Sequence, residues 1–415
     1  MKVVGIIAEY NPFHLGHAYQ LRYAKETLGA DYCVVVMSGP FTQRGTPALF
    51  DKYTRASHAL TCGADLVLEL PVIYATASAE IFATGGVSTL QNTGIVDNLL
   101  FGCEADALES FKEIASILID EPPEYREKLQ QALQQGQSFA AARATALCHP
   151  EYEALLASPN NILAVEYMKA LLRLNSTMEP VCLKRRGCGY HNESLGAPIA
   201  SATAIRKAIL SKDGDISSGN PATILAQHPS EIQENIRQLL DGNEYLSPQD
   251  ISSMLVYALL SREDFSDIFD CNEDISNKIL RIRHLYASFD SFCEEVKTKN
   301  ITHTRISRIL CHILLNISTQ DLPDRNNGYH PADIVPYLRI LGVNERGTRL
   351  LSQIKECGSV PLLTTPKDAD IILSEVAYHM LQKDVYAADL YRSALSAKTH
   401  HLYPTEYTRK FSPQP

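Results

Sequence analysis

Two histidines three residues apart, His14 and His17, bracket Gly16 in the segment Glu9-Tyr10-Asn11-Pro12-Phe13-His14-Leu15-Gly16-His17. Paired imidazoles at this spacing can donate hydrogen bonds to phosphate oxygens as negative charge builds at phosphorus. The segment follows an apolar run, Val3-Val4-Gly5-Ile6-Ile7-Ala8, and opens a helical stretch. That placement matters twice. Open α/β sheets put ligands at the carboxyl ends of their strands, and a helix start offers unpaired N–H groups and a partial positive charge to an anion. Gly16 lets a nucleotide approach the backbone closely.

Other residues fall where the same ligand edge would lie. Gly102 follows a strand and offers bare backbone to adenine or ribose. Asn160 or Asn161, at the start of a helix, can cap it or present an amide to a nucleoside. Arg185 and Arg186 follow another strand and can clamp phosphates bidentately. Ser38 and Gly39, with Gln43 and Arg44 just beyond, form either a substrate-facing loop or a structural turn. Ser201, Thr203 and Arg206 begin a helix whose hydroxyls either meet phosphates or cap it. Asp51, Lys52 and Arg55 are either helix-capping charges, the favoured reading, or part of the same face. Neither Glu9 nor Glu104 stands out as a general base. Cys182, Cys188 and His191 do not match a common zinc spacing, so no metal site is expected.

These positions need elements to hold them. Strand-like runs at 3–8, 32–37, 66–70 and 98–101 alternate with helical stretches at 17–28, 55–62 and 77–90, several closed by glycine. The rhythm predicts an α/β fold with a doubly wound parallel sheet. Helices are expected at 124–146, 162–174 and 201–210, with one more strand at 181–184. Residues 212–229 are rich in Gly, Ser, Asp and Pro and read as a linker. Beyond it the pattern is helical, with helices near 249–261, 273–298, 302–318, 331–341, 346–356 and 368–394. The chain therefore divides into a catalytic unit, 1–215, and an all-helical C-terminal domain, 216–415.

Composition bounds the function. The chain has 415 residues, 45% hydrophobic and 21% charged, with 48 acidic against 38 basic residues and a net charge of −10. A globally cationic nucleic-acid binder is excluded, and so is wholesale disorder. A local basic stretch survives: 278–312 carries seven Lys/Arg against three Asp/Glu, with Arg305 and Arg308 on one helix face. Ten cysteines without regular pairing read as reduced thiols. No export signal and no long apolar run appears, which points to the cytoplasm.

The segment Gly5–His17 resembles the HxGH motif of the class I nucleotidyltransferases and, more narrowly, the bacterial tRNA(Met) cytidine acetate ligase family. The stretches 37–48, 63–71, 158–163 and 184–187 are similar to that family as well. The resemblance is dense over about residues 1–210 and weaker beyond. It implies a Rossmann-like nucleotidyltransferase fold, with His14 and His17 catalytic. It implies that ATP and acetate give acetyl-AMP and pyrophosphate, and that the acetyl group passes to N4 of the wobble cytidine of elongator tRNA(Met). By this resemblance the ATP site maps onto Ile7, Ala8, Glu9, Tyr10, Asn11, Pro12, Phe13, His14, Leu15, Gly16, His17, Ala18, Tyr19 and Gln20, with Gly102, Asn160 or Asn161, Arg185 and Arg186. Mg²⁺ can accompany the ATP. Ser201, Thr203 and Arg206 resemble a second phosphate-facing signature, although Ala202 stands where many relatives carry a hydroxyl. Arg305 and Arg308 would face the tRNA. A small-molecule adenylyltransferase that modifies no RNA is the alternative.

Overall fold

The computed structural model describes residues 1–185, 199–211, 221–322 and 330–414. The strands are β1 (Val3–Ala8), β2 (Tyr32–Ser38), β3 (Leu66–Leu70), β4 (Asn98–Cys103), β5 (Glu179–Lys184), β6 (Leu338–Val343) and β7 (Leu362–Leu363). They form one sheet in the order β5-β4-β1-β2-β3-β6-β7. All neighbouring pairs run parallel except β3 with β6. The order reverses between β1 and β4, so the crevice outside their carboxyl ends is the place for a ligand.

Near-continuous Val, Ile and Leu in β1 to β3 reflects burial on both faces. On one face the helices Leu15–Glu26, Lys52–Thr61 and Ser230–Asp241 pack through Leu21, Ala56, Ala59, Ile232 and Ile236. On the other, Ala79–Asn92 and Pro159–Arg173 lead into a core that continues through residues of the C-terminal half as far as Leu395. Each fully buried Val, Ile or Leu contributes about 1.5–3 kcal/mol.

The C-terminal half is helical except for β6 and β7, which corrects the all-helical expectation. The stretch expected as a helix at 331–341 holds only a short helix, Pro331–Ile334, before β6 begins. Every residue of Leu338-Arg339-Ile340-Leu341-Gly342-Val343 is buried, and a short, two-face-buried strand has no period to tell it from a buried helix. Its antiparallel pairing with β3 sets Glu69 opposite Arg339. The sheet therefore crosses the boundary expected at 215. Gly136 (φ +80°) divides the expected 124–146 helix into Pro123–Gln134 and Phe139–Ala146. Only the end of the expected linker, from 221, is described, and it is a short helix, Pro221–Leu225. No helix among the described residues is long and apolar enough to cross a membrane. The expectation of thiols throughout is also corrected: a disulfide joins Cys103 to Cys182. They sit on neighbouring strands but 79 residues apart in sequence, so spacing could not reveal the pair.

Candidate active site

The turn from β1 into the helix Leu15–Glu26 is built around its two histidines. His14 is the N-cap residue, and its Nδ1 accepts the Gly16 N–H at 2.9 Å. His17 lies in the first turn, and its Nδ1 accepts the His14 N–H at 3.3 Å. The pair forms a reciprocal capping box. The rings stack with centroids 3.9 Å apart. Because each Nδ1 is an acceptor, the proton of each neutral ring sits on Nε2, where it can be donated elsewhere.

Burial, then the neighbouring His17, holds the His14 pKa well below its ordinary value. Burial, then Arg185, lowers His17 to about 3. Both rings are therefore neutral donors near pH 7. His228 is lowered to about 4, mainly by burial, and His58 is lowered for the same reason. Unfolded histidine titrates near 6.5, so between that value and the folded values the unfolded chain binds more protons. The share of stability that these four rings supply must then fall as pH drops below about 6.5, against a smaller opposite contribution from Asp384 and Glu69, whose carboxyls burial raises. Chemical denaturation at pH 7 and pH 5 should show a lower midpoint at pH 5, and an unchanged midpoint would contradict neutral buried rings.

Gly16 serves the ring as much as any ligand. A Cβ there would lie 2.7 Å from His14 Cε1 and 3.1 Å from its Nδ1. Gly16→Ala should push the imidazole aside and lower turnover at least about tenfold, or about 1.4 kcal/mol. Alanine's better helix propensity, worth about 1 kcal/mol, should keep the melting temperature near that of the unaltered chain. Paired turnover and melting measurements check this.

A cavity of about 280 Å³ opens at the turn. Ten residues of the expected segment line it: Ile7, Ala8, Glu9, Tyr10, Asn11, His14, Gly16, His17, Tyr19 and Gln20. Pro12, Phe13, Leu15 and Ala18 do not. Phe13 and Ala18 are core residues, and Phe13 stacks edge-on to Tyr10. Tyr10 itself has φ 47°, a conformation few non-glycine residues adopt, in the middle of the turn.

Further walls come from Gly102 at the end of β4, Arg185 after β5, Asn160, Ser201, Gln43 and Arg44. The remaining expected residues are placed otherwise. Arg186 lies outside the described residues, as do Cys188 and His191. Asn161 is buried, and its Oδ1 accepts the N–H groups of Glu104 (2.9 Å) and Ala105 (3.4 Å), pinning the loop after β4. Neither asparagine is the cap of its helix, a position Ser158 occupies. Ser201 caps Ala202–Leu210 through the Ala204 N–H. Thr203 accepts from Arg206, which also donates to the Asn11 carbonyl at 2.5 Å. Ser38 and Gly39 are buried away from the cavity, and Gly39 sits where a Cβ would meet Glu69 Oε1 at 2.4 Å.

Sequence reasoning missed the groups that hold these loops. Arg55 is fully buried and donates to four carbonyls: Phe50 (2.9 Å), Glu9 (2.7 Å), Ser38 (3.0 Å) and Gly39 (2.5 Å). It ties the ends of β1 and β2 together rather than decorating a helix. From the expected linker, the Gln227 carbonyl accepts the Leu15 N–H at 3.0 Å, and His228 Nδ1 meets the Phe13 carbonyl at 2.6 Å. The Gln227 side chain accepts the Ala200 N–H at 2.7 Å, joining the histidine turn to the Ser201 helix. Phe82, Phe101, Leu163 and Tyr167 also line the cavity. Phe101 beside Gly102 at a strand end was the one sequence signal for them.

Arg305 and Arg308, on the helix His303–Leu315, are not free cations. Both face Asp270, at 3.0 and 3.6 Å. Their helix braces the cavity loop instead: Ser307 Oγ donates to the Arg44 carbonyl at 2.6 Å. Among the described residues no group of three His, Cys, Asp or Glu side chains could hold a metal ion.

The profile of the HIGH Nucleotidyl Transferase family matches residues 1–405. The tRNA(Met) cytidine acetate ligase of Thermoanaerobacter sp. (strain X514) is 38% identical over 398 residues, covering 95% of this chain and 96% of that one. This chain belongs to the tRNA(Met) cytidine acetate ligase family. The Clostridium perfringens (strain SM101 / Type A) member of the ligase family is 37% identical over 404 residues, 94% of this chain and 95% of its own. In structure the chain is similar to Thermotoga maritima TmcAL, with TM-score 0.87 and 30% identity over 96% of both chains for the apo form. For the form bound with alpha-thio ATP the TM-score is 0.83, with 30% identity over 95% of both chains. The ligase family thus extends over both halves of the sequence, including the strands that the C-terminal half adds to the sheet.

Proposed function

We propose that this chain joins acetate to ATP, forming acetyl-AMP and pyrophosphate, and then transfers the acetyl group to N4 of the wobble cytidine of elongator tRNA(Met). The observation that carries the reading is the pair of neutral imidazoles, each with Nδ1 engaged and Nε2–H free to donate, at a helix N-terminus beside the cavity. An acetate oxygen attacks the α-phosphorus, the bond to the β-phosphate bridge breaks, and pyrophosphate leaves. Acetate is ionised near neutral pH, so this step needs no base. His14 and His17 stabilise the charge developing on the α-phosphate. Arg185 and the start of the Ser201-capped helix meet the remaining phosphates. Mg²⁺ accompanying ATP would be held largely by phosphate oxygens and water.

Residues 1–215 carry most of the nucleotide site, and the C-terminal half brings the RNA, with Arg305 and Arg308 exchanging Asp270 for phosphate. A tRNA substrate places the enzyme in the cytoplasm. The relatives' printed names and the ATP analogue in the T. maritima structure support this reading. Incubation with labelled ATP, acetate and unmodified tRNA(Met) should yield AMP, pyrophosphate and N4-acetylcytidine. AMP without acetylated RNA would reject the proposal; a small-molecule adenylyltransferase would instead release pyrophosphate, keep the AMP in a stable adenylylated product and leave the RNA unmodified.

A further inference from the structure

The cavity has aromatic walls and a carboxylate to which the adenylation step assigns no chemistry. Phe82, Phe101 and Tyr167 wall it, each no more than 5% exposed, and the Phe101 and Tyr167 rings lie 5.6 Å apart. The two rings pack on each other at a 45° tilt, so a flat, splayed-out base would stack on the cavity side of this aromatic wall. At its polar corner stands Glu9, the one carboxylate among the described residues that line the cavity. The Gln43 main-chain N–H donates to Glu9 Oε1 at 2.9 Å, so the Glu9 carboxylate lies at the base of the Gln43 side chain. Gln43 also lines the cavity, and its Nε2 is buried with no hydrogen-bond partner. A buried amide N–H left unpaired is costly, and a ligand acceptor would satisfy it.

Both groups are held firmly. Arg55 grips the Glu9 carbonyl at 2.7 Å. Gly45, two residues after Gln43, sits at φ +71° against Ser307 and Arg308, where a Cβ would lie 2.4 Å from the Arg308 nitrogen. The helix expected to face RNA therefore sets the position of Gln43.

Resting on the function proposed above, we infer that Glu9 and Gln43 read the Watson–Crick edge of the target cytosine, with Glu9 also taking the N4 proton during transfer. Cytosine offers an N4–H donor beside an N3 acceptor. A carboxylate beside an amide N–H complements that order. Uracil reverses it, setting O4 against the carboxylate and N3–H against the amide N–H, so the same pair repels the wrong base. In the transfer, the N4 lone pair attacks the acetyl carbonyl carbon and a C–N bond forms. The acyl C–O bond breaks, and its electron pair departs on AMP. The N4 proton passes to the Glu9 carboxylate. The two histidines are not the acceptors, since each already uses Nδ1 to accept a backbone N–H and carries its proton on Nε2.

The test uses the whole protein and two rates: acetate-dependent exchange of labelled pyrophosphate into ATP, and N4-acetylcytidine formation on an unmodified tRNA(Met) transcript. Glu9→Gln keeps an oxygen for the Gln43 N–H, so the loop should hold. It should reduce transfer at least about 30-fold more than exchange, a loss suited to a missing general base. Glu9→Asp should recover part of that loss. Used as an unreactive competitor, a C34U transcript, which has no N4 amine, should inhibit acetylation by the native protein with an inhibition constant at least about tenfold above that of an N4-blocked C34 transcript, and Gln43→Leu should narrow that preference to within about threefold. Parallel loss of both rates in Glu9→Gln, or an unchanged C34 preference in Gln43→Leu, overturns the inference while leaving the broader reading intact. If the native protein itself shows neither exchange nor acetylated RNA, the broader reading fails and takes this one with it.

Discussion

Replacing His17 with alanine will slow acetate-dependent pyrophosphate exchange by roughly 10²-fold, about 2.7 kcal/mol. The magnitude follows from what the ring does. It is neutral, its Nδ1 is held by the His14 N–H, and its Nε2–H is a preset donor at the end of β1. Preset donors cost little reorganisation when charge appears, which is why one lost donor costs orders of magnitude. At His14 alanine would confound two losses, because that ring also caps the helix through the Gly16 N–H. His14→Asn is the cleaner change. Asparagine is a good N-cap, so the fold should survive while exchange again drops by roughly 10²-fold. If both variants exchange pyrophosphate at near-native rates, the imidazoles do not act on the phosphates.

The second large effect concerns stability. Lys52 is 3% exposed and contacts both Glu69 oxygens, at 2.7 and 2.8 Å, and Glu406 at 2.9 Å. Arg339 reaches Glu406 only at 3.5 Å. Burial pushes Glu69 up, opposed by Lys52. Glu406 is held down: Lys52 and then Arg339 outweigh its burial. Lys52→Met leaves two carboxylates buried against one distant guanidinium, and should cost about 3–5 kcal/mol at pH 7. The sign of its pH dependence is fixed. In the variant both carboxyls are harder to ionise than in the unfolded chain, so folded stability should recover as pH falls and they protonate. The double change Lys52→Met, Glu69→Gln should regain much of the loss at pH 7, because Glu406 then keeps Arg339 as its partner and no uncompensated charge remains. Urea denaturation of the three proteins decides it, and a single variant as stable as the native chain would show that the cluster holds little.

That cluster marks the limit of what the sequence discloses. Lys52 and Glu406 are 354 positions apart, and nothing local joins them. Lys52 and Arg55 look like ordinary first-turn charges, yet the fold turns one into a buried ion bridge and the other into a clasp for four carbonyls. By contrast β1 and the histidine turn were legible, because an apolar run, a helix start and the His14–Gly16–His17 spacing all act within seventeen residues. Asn160 and Asn161 show the intermediate case. Their place at a strand-end crevice could be read, but not which of them lines the cavity, since that depends on the direction of one turn of helix. β6 was missed because burial on both faces erases its period. Gln227 and His228 were missed because a Gly/Ser/Pro-rich stretch gives no sign that its end will close on the Phe13 and Leu15 backbone.

The most direct measurement of the central claim is a crystal structure of this chain with a non-hydrolysable ATP analogue. The α-phosphate oxygens should lie within hydrogen-bonding reach, about 3 Å, of Nε2 of His14 and of His17, with the nucleoside toward Gly102. A triphosphate seated elsewhere in the cavity, leaving both Nε2 atoms without a phosphate partner, would contradict it.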